Sequence, residues 1–200
     1  MDTTEFWKKE GEKHIRPKIG GEFPEGWDIR PYLAKLCEGK LITEIGCGVG
    51  RLSAAFHPEQ YIGIDISPKV LEIAESTNKN HKYLLDNQEN SYPDADVRLV
   101  YTVLLHIDDG YIGDFIKNLC EGTERVVVAE IMERKWRRPG DPPVFNREAE
   151  EYITLFKKCG FEKDYHNEKV YERYADPKFD KITGGHPVYI TFLRFRKKGL

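Results

Sequence analysis

Apolar residues along the chain fall into two patterns. Short runs at Leu41 to Glu44, Tyr61 to Asp65, His81 to Leu85, Val97 with its exit at His106, and Arg125 to Met132 have strand character. The last is a continuous β-branched run of the kind buried on both faces, which predicts a central parallel strand. Segments with helical spacing separate the runs. One extends from Thr3 or Thr4, either of which can cap it, to about His14, with Phe6 and Trp7 on its apolar side. A second covers Trp27 to Cys37. Leu52 to Phe56 begins a first crossover helix that is interrupted at Pro58. Ser67 is placed to cap a helix with Pro68 at its first position. Asn146 is placed to cap Arg147 to Lys158, in which Tyr152, Leu155 and Phe156 share a face. Phe161 onward and Val188 to Arg196 then read as two closing strands with no helix between them, a hairpin at a sheet edge. The expectation is an α/β fold, a doubly wound, mostly parallel sheet of seven strands with an antiparallel C-terminal strand.

The stretch Leu41 to Arg51, LITEIGCGVGR, holds the most chemistry. A strand ends in Glu44, and Gly46, Gly48 and Gly50 then alternate with Cys47 and Val49. Glycines at alternate positions let the chain turn tightly and leave no Cβ to hold a flat ligand away. About 20 residues beyond the first glycine the second strand ends in Asp65, where a doubly wound sheet presents a carboxylate to a ribose diol. A dinucleotide fingerprint would need a final glycine where Arg51 stands, and there is no Gly-Lys-Ser/Thr phosphate loop.

Composition narrows the reading. The chain has 200 residues, 40% hydrophobic and 32% charged, as expected for one globular domain. The formal net charge of -3 argues against a surface built throughout to hold a polyanion. No window approaches the ~20 apolar residues of a membrane span, so a cytoplasmic protein is expected. Cys37, Cys47, Cys120 and Cys159 are isolated, which suggests neither a zinc site nor a disulfide framework.

E-I-G-C-G-V-G, the D-I-S-P-x-x-L-x-x-A string from Asp65, and Val103-Leu104-Leu105-His106-Ile107 together resemble the class I S-adenosylmethionine-dependent methyltransferases of small-molecule type. The resemblance runs from about Leu41 to Arg196 and implies a Rossmann-like methyltransferase fold. It implies S-adenosylmethionine as cofactor, S-adenosylhomocysteine as product and no metal. Glu44, Gly46, Cys47, Gly48, Gly50, Asp65, Ile66, Asp86, Asn87 and Val103 would bind the cofactor, with Asp65 on the ribose hydroxyls and Asp86 on the adenine amine. Residues 1–39 would fold over it as a lid, unless those helices only pack on the sheet. His106 would take a proton from the acceptor as the methyl arrives, or else serve structurally at a helix start. Arg98 departs from the pattern, standing where a strand-opening aspartate is frequent.

Glu133 to Pro143 is rich in breakers and cations around Trp136. It is either a solvated charged loop or a clamp in which Arg134, Arg137 or Arg138 engages a carboxylate or phosphate of the acceptor. The expected activity is methyl transfer to an oxygen or nitrogen of a small molecule. Two rivals are a nucleotide or RNA methyltransferase, against which the acidity stands, and a non-catalytic adenosyl-ligand-binding subunit.

Overall fold

The computed structural model describes residues 3–15, 21–38, 41–87, 91–140, 142–172 and 180–199. Strands β1 (Ile42–Ile45), β2 (Tyr61–Asp65), β3 (Lys82–Leu85), β4 (Ala95–Tyr101), β5 (Thr123–Glu130), β6 (Phe161–Val170) and β7 (Tyr189–Lys197) form one sheet in the order β3-β2-β1-β4-β5-β7-β6. β1 pairs in parallel with β2 and β4, β2 with β3, and β4 with β5, while β7 runs antiparallel to β5 and β6. The helices are α1 (Thr3–His14), α2 (Ile29–Leu36), α3 (Pro68–Thr77), α4 (Ile112–Cys120), α5 (Ala149–Lys158) and the single turn α6 (Asp180–Thr183).

Successive strand residues point to opposite faces, and in the middle of this sheet both faces are buried. On β5, Val127 and Ala129 join Ile29 and Leu33 of α2 and Leu71 and Ala74 of α3 in one apolar cluster. Val126 and Val128 join Ile112, Ile116 and Leu119 of α4 and Tyr152 and Phe156 of α5 in a second. Phe156 stacks on Phe195 of β7 with ring centroids 3.9 Å apart. The antiparallel β7 is thus packed into the core, between β5 and β6.

Several expectations change. No crossover helix follows the glycine turn; Ser53–Ala55 and Pro58–Gln60 are short 3-10 turns instead. Pro58 has no N–H for a helical bond, and the Ser53 hydroxyl donates to the Gly50 carbonyl (2.8 Å), an alternative to helical pairing. α2 starts at Ile29, two residues later than expected, because Asp28 accepts the Arg30 N–H at 2.9 Å as cap. Pro68 opens α3, but the Ser67 hydroxyl does not cap it and donates instead to the Lys8 carbonyl of α1 at 3.4 Å. Asn146 caps nothing either. Its amide donates to the Ile131 carbonyl (2.8 Å), and α5 is closed by a reciprocal Glu148–Glu151 capping box. α4 is an element the sequence reading left unassigned.

Candidate functional site

The carboxyl ends of the parallel strands open on a cavity of about 710 Å³. Its floor is the glycine turn. The Gly46 and Cys47 N–H groups donate to the Ile64 carbonyl (2.8 and 3.0 Å), so β1 and β2 stay joined past their last paired residues. Gly46 and Gly48 have φ of 73° and 55°, in the left-handed region that favours glycine. A Cβ on Gly46 would collide with Val103, and one on Gly48 would lie 3.2 Å from Ile15. The sequence therefore needs glycine there to turn and to let other chain segments approach. Gly50 is different: it lies outside the cavity lining, and a Cβ there would meet the Tyr83 hydroxyl at 2.6 Å, so it serves packing.

Asp65 organises the floor. One carboxylate oxygen accepts the Gly48 N–H (2.8 Å) and the other the Ser67 N–H (2.9 Å), tying the turn to the start of α3. Burial raises its pKa, and the backbone N–H donors oppose the rise. Glu44, 2% exposed, accepts the Tyr61 hydroxyl at 2.5 Å, and burial pushes its pKa up to about 8. Both carboxyls line the cavity, as do Cys47, Ile66, Asp86 and Val103, whereas Asn87 is exposed and lies outside the lining. Asp86 donates its N–H to the Asp65 carbonyl (2.8 Å) and accepts the Tyr92 hydroxyl (3.3 Å).

The exit of β4 forms one wall. Thr102 has φ of 55°, unusual for a residue with a Cβ, and its N–H donates to the Ala129 carbonyl at 2.9 Å. Glu130 ends β5 with a buried carboxyl that accepts the N–H groups of Leu105 and Ile131 (3.2 Å each). Burial raises its pKa to about 8 despite those bonds. Glu130 thereby holds the turn Leu104–His106, and the His106 ring faces the cavity. Nδ1 of His106 lies 3.1 Å from the Pro143 carbonyl. A carbonyl only accepts, so Nδ1 carries the proton and Nε2 holds the lone pair of the neutral ring.

The cationic loop is pinned by counter-ions. Arg134 pairs with Glu151, Arg137 with Asp109, and Arg147, 2% exposed, with Asp109 at 2.7 Å. Arg134 and Arg137 lie outside the cavity lining; Arg138 lies within it. Reciprocal backbone bonds of 3.0 Å between Arg138 and Val144 close the loop on itself, and Phe145 N–H donates to the Leu105 carbonyl at 2.7 Å. Long-range pairing with Asp109 and Glu151 is invisible in a local string, which is why the three arginines looked equivalent.

α1 roofs the cavity. Trp7, His14 and Ile15 line it, Trp7 meets the His106 ring at 4.6 Å between centroids, and Lys69 of α3 pairs with Glu12 at 3.1 Å. The sequence reading missed Arg51, which lines the cavity, pairs with buried Glu22 at 3.0 Å and sits 5.3 Å from the Tyr101 ring centre. Its place right after the glycine run was the available signal. Among the described residues no group of three or more His, Cys, Asp or Glu is arranged to hold a metal ion, and no helix is long and apolar enough to cross a membrane.

Residues 42–124 match the family model described as a methyltransferase domain. No curated protein matches the sequence. Among solved structures, the chain is similar to magnesium protoporphyrin IX methyltransferase from Synechocystis PCC 6803 with bound SAM (14% identity, 98% of each chain covered, TM-score 0.68). It is similar to a SAM-dependent methyltransferase from Methanosarcina mazei (17% identity, 86% of this chain and 99% of that one, TM-score 0.66). It is also similar to the 4+2 cyclase SpnF (16% identity, 98% and 93%, TM-score 0.66). At such identities these likenesses speak for the fold. The matched methyltransferase domain falls on the glycine turn, Asp65 and the strands around them, and the chain has the fold of the SAM-dependent methyltransferases it is similar to.

Proposed function

We propose that this protein transfers the methyl group of S-adenosylmethionine to an oxygen or nitrogen of a small molecule. The observation that carries the reading is one cavity with a buried Asp65 on its glycine floor and an oriented His106 on its wall. The residues fit the cofactor. Each oxygen of Asp65 spends one acceptor position on a backbone N–H, which leaves lone pairs for the two ribose hydroxyls. Glu44 and the turn Gly46–Gly48 would take the amino-acid end, Ile66 and Val103 would flank the adenosine, and Asp86 would accept from the adenine amine. When bound, the cofactor supplies a methyl carbon made electrophilic by its sulfonium.

The chain's own residues supply position and a proton path. Holding the acceptor in line contributes about 7 to 11 kcal/mol in well-oriented reactions, and a positioned base adds about 10² to 10⁴-fold. His106 is that base: with Nδ1 held by Pro143, its Nε2 receives the proton that the acceptor loses. α1 and the residue that follows it exclude water by covering the site with Trp7 and Ile15. Because the matched family and the cyclase neighbour share a fold, fold alone does not establish chemistry. The test is calorimetry with S-adenosylmethionine and S-adenosylhomocysteine, followed by incubation of pooled metabolites with methyl-labelled cofactor. Heat of binding and a labelled product are expected. No heat with either ligand would remove the proposal.

A further inference from the structure

Resting on that reading, we infer that the acceptor is a small monocarboxylic acid, seated on Arg138 and Trp136, whose hydroxyl or amino group receives the methyl. Three observations converge. First, Arg138 is a half-buried cation in the cavity wall whose one side-chain hydrogen bond, among the described residues, is to the Trp136 carbonyl at 3.3 Å. The neighbouring cations Arg134, Lys135, Arg137 and Arg147 have carboxylate partners, Arg134 with Glu151, Lys135 with Glu133, and Arg137 and Arg147 with Asp109; Arg138 has none among the described residues. A guanidinium with most of its fork unused matches the two coplanar oxygens of a carboxylate.

Second, buried polar atoms in the same cavity lining lack partners among the described residues. Trp136 is 5% exposed and Asn146 1% exposed; both line the cavity, and the Trp136 indole N–H and the Asn146 side-chain oxygen have no hydrogen-bond partner among the described residues. Such atoms cost free energy unless something completes them, and here they offer one donor and one acceptor. The donor adds to Arg138 in holding an anion, while the acceptor suits a hydroxyl or amine. Third, the charge count limits the anion. Arg138 balances one negative charge, Arg51 in the same lining is paired with Glu22, and Asp86, Asp108 and Asp114 line the cavity too, which disfavours a phosphate dianion or a nucleic-acid backbone. The aromatic walls of Trp7, Phe115 and Trp136 favour a flat body between the two ends.

The test titrates the full-length protein, saturated with S-adenosylhomocysteine, with 4-hydroxybenzoate, 4-hydroxybenzamide and 4-hydroxyphenyl phosphate by calorimetry. The carboxylate should bind about tenfold or more tightly than either analogue. Arg138→Gln should erase that preference while S-adenosylhomocysteine still binds, and Arg134→Gln, the same change in the same loop but outside the cavity lining, should keep it. Equal binding of the amide, tighter binding of the phosphate, no binding of the three, or a preference that survives Arg138→Gln would overturn the assignment. The S-adenosylhomocysteine titration made beforehand separates these outcomes from failure of the methyltransferase reading, because only the latter abolishes its heat.

Discussion

Glu44 should act as a proton donor to solvent when the cofactor arrives. Its carboxyl is buried against Tyr61 and holds its proton up to about pH 8, compared with 4.5 for an exposed glutamate. Between those values the folded chain binds one more proton than the unfolded chain at this position. Stability is therefore highest at the acid end of the window and falls as pH rises through it, by about 1.4 kcal/mol per unit or roughly 5 kcal/mol in all. A sulfonium and an ammonium brought into the same cavity favour the ionised form, so binding should expel the proton. At pH 7 a group with pKa of about 8 is about nine-tenths protonated, which sets the release at up to ~0.9 proton per cofactor bound. Calorimetry in buffers of different ionisation enthalpy reads that number directly. Glu44→Gln keeps an acceptor for the Tyr61 hydroxyl but has no proton to lose, so its binding heat should be independent of buffer. Its thermal stability should also fall less between pH 5 and pH 8, retaining the part contributed by Glu130, whose pKa is raised equally. Wild-type protein that binds cofactor without releasing protons, or a variant that releases as many, would refute the reasoning.

Other perturbations probe separate links. Asp65→Ala strands the buried N–H groups of Gly48 and Ser67, at about 1–3 kcal/mol each, and should lower the melting temperature as well as abolish S-adenosylhomocysteine heat. His106→Ala should reduce kcat by about 10² to 10⁴-fold with S-adenosylhomocysteine affinity unchanged, and a kcat within threefold of wild type would exclude it as the base. Phe195→Ala removes a fully buried ring stacked on Phe156 and should cost about 3–5 kcal/mol in urea unfolding, at a distance from the cavity.

What was legible in the sequence was local. The glycine run and Asp65 declare themselves because the turn is built within a few residues and its partner lies one strand away. The central strands were legible for a similar reason, since apolar runs buried on both faces, as in β4 and β5, leave few other readings. What escaped depended on distant partners. Asn146 looks like a cap until the Ile131 carbonyl is placed beside it. Arg134, Arg137 and Arg138 look alike until Glu151 and Asp109 claim two of them. α4 is the exception. Ile112, Ile116 and Leu119 stand at helical spacing, a local signal that went unused beside the more conspicuous Val103 to Ile107.

The position of β7 has a consequence for how the molecule is made. It follows β6 along the chain but lies inboard of it, so β6 cannot be seated until its successor has emerged and slid into the gap beside β5. During synthesis the nascent protein would expose β5 as a bare apolar margin, open to pairing with another copy, for as long as that piece is missing. Shortening the chain by this one segment should therefore yield clumped material rather than a slightly trimmed enzyme.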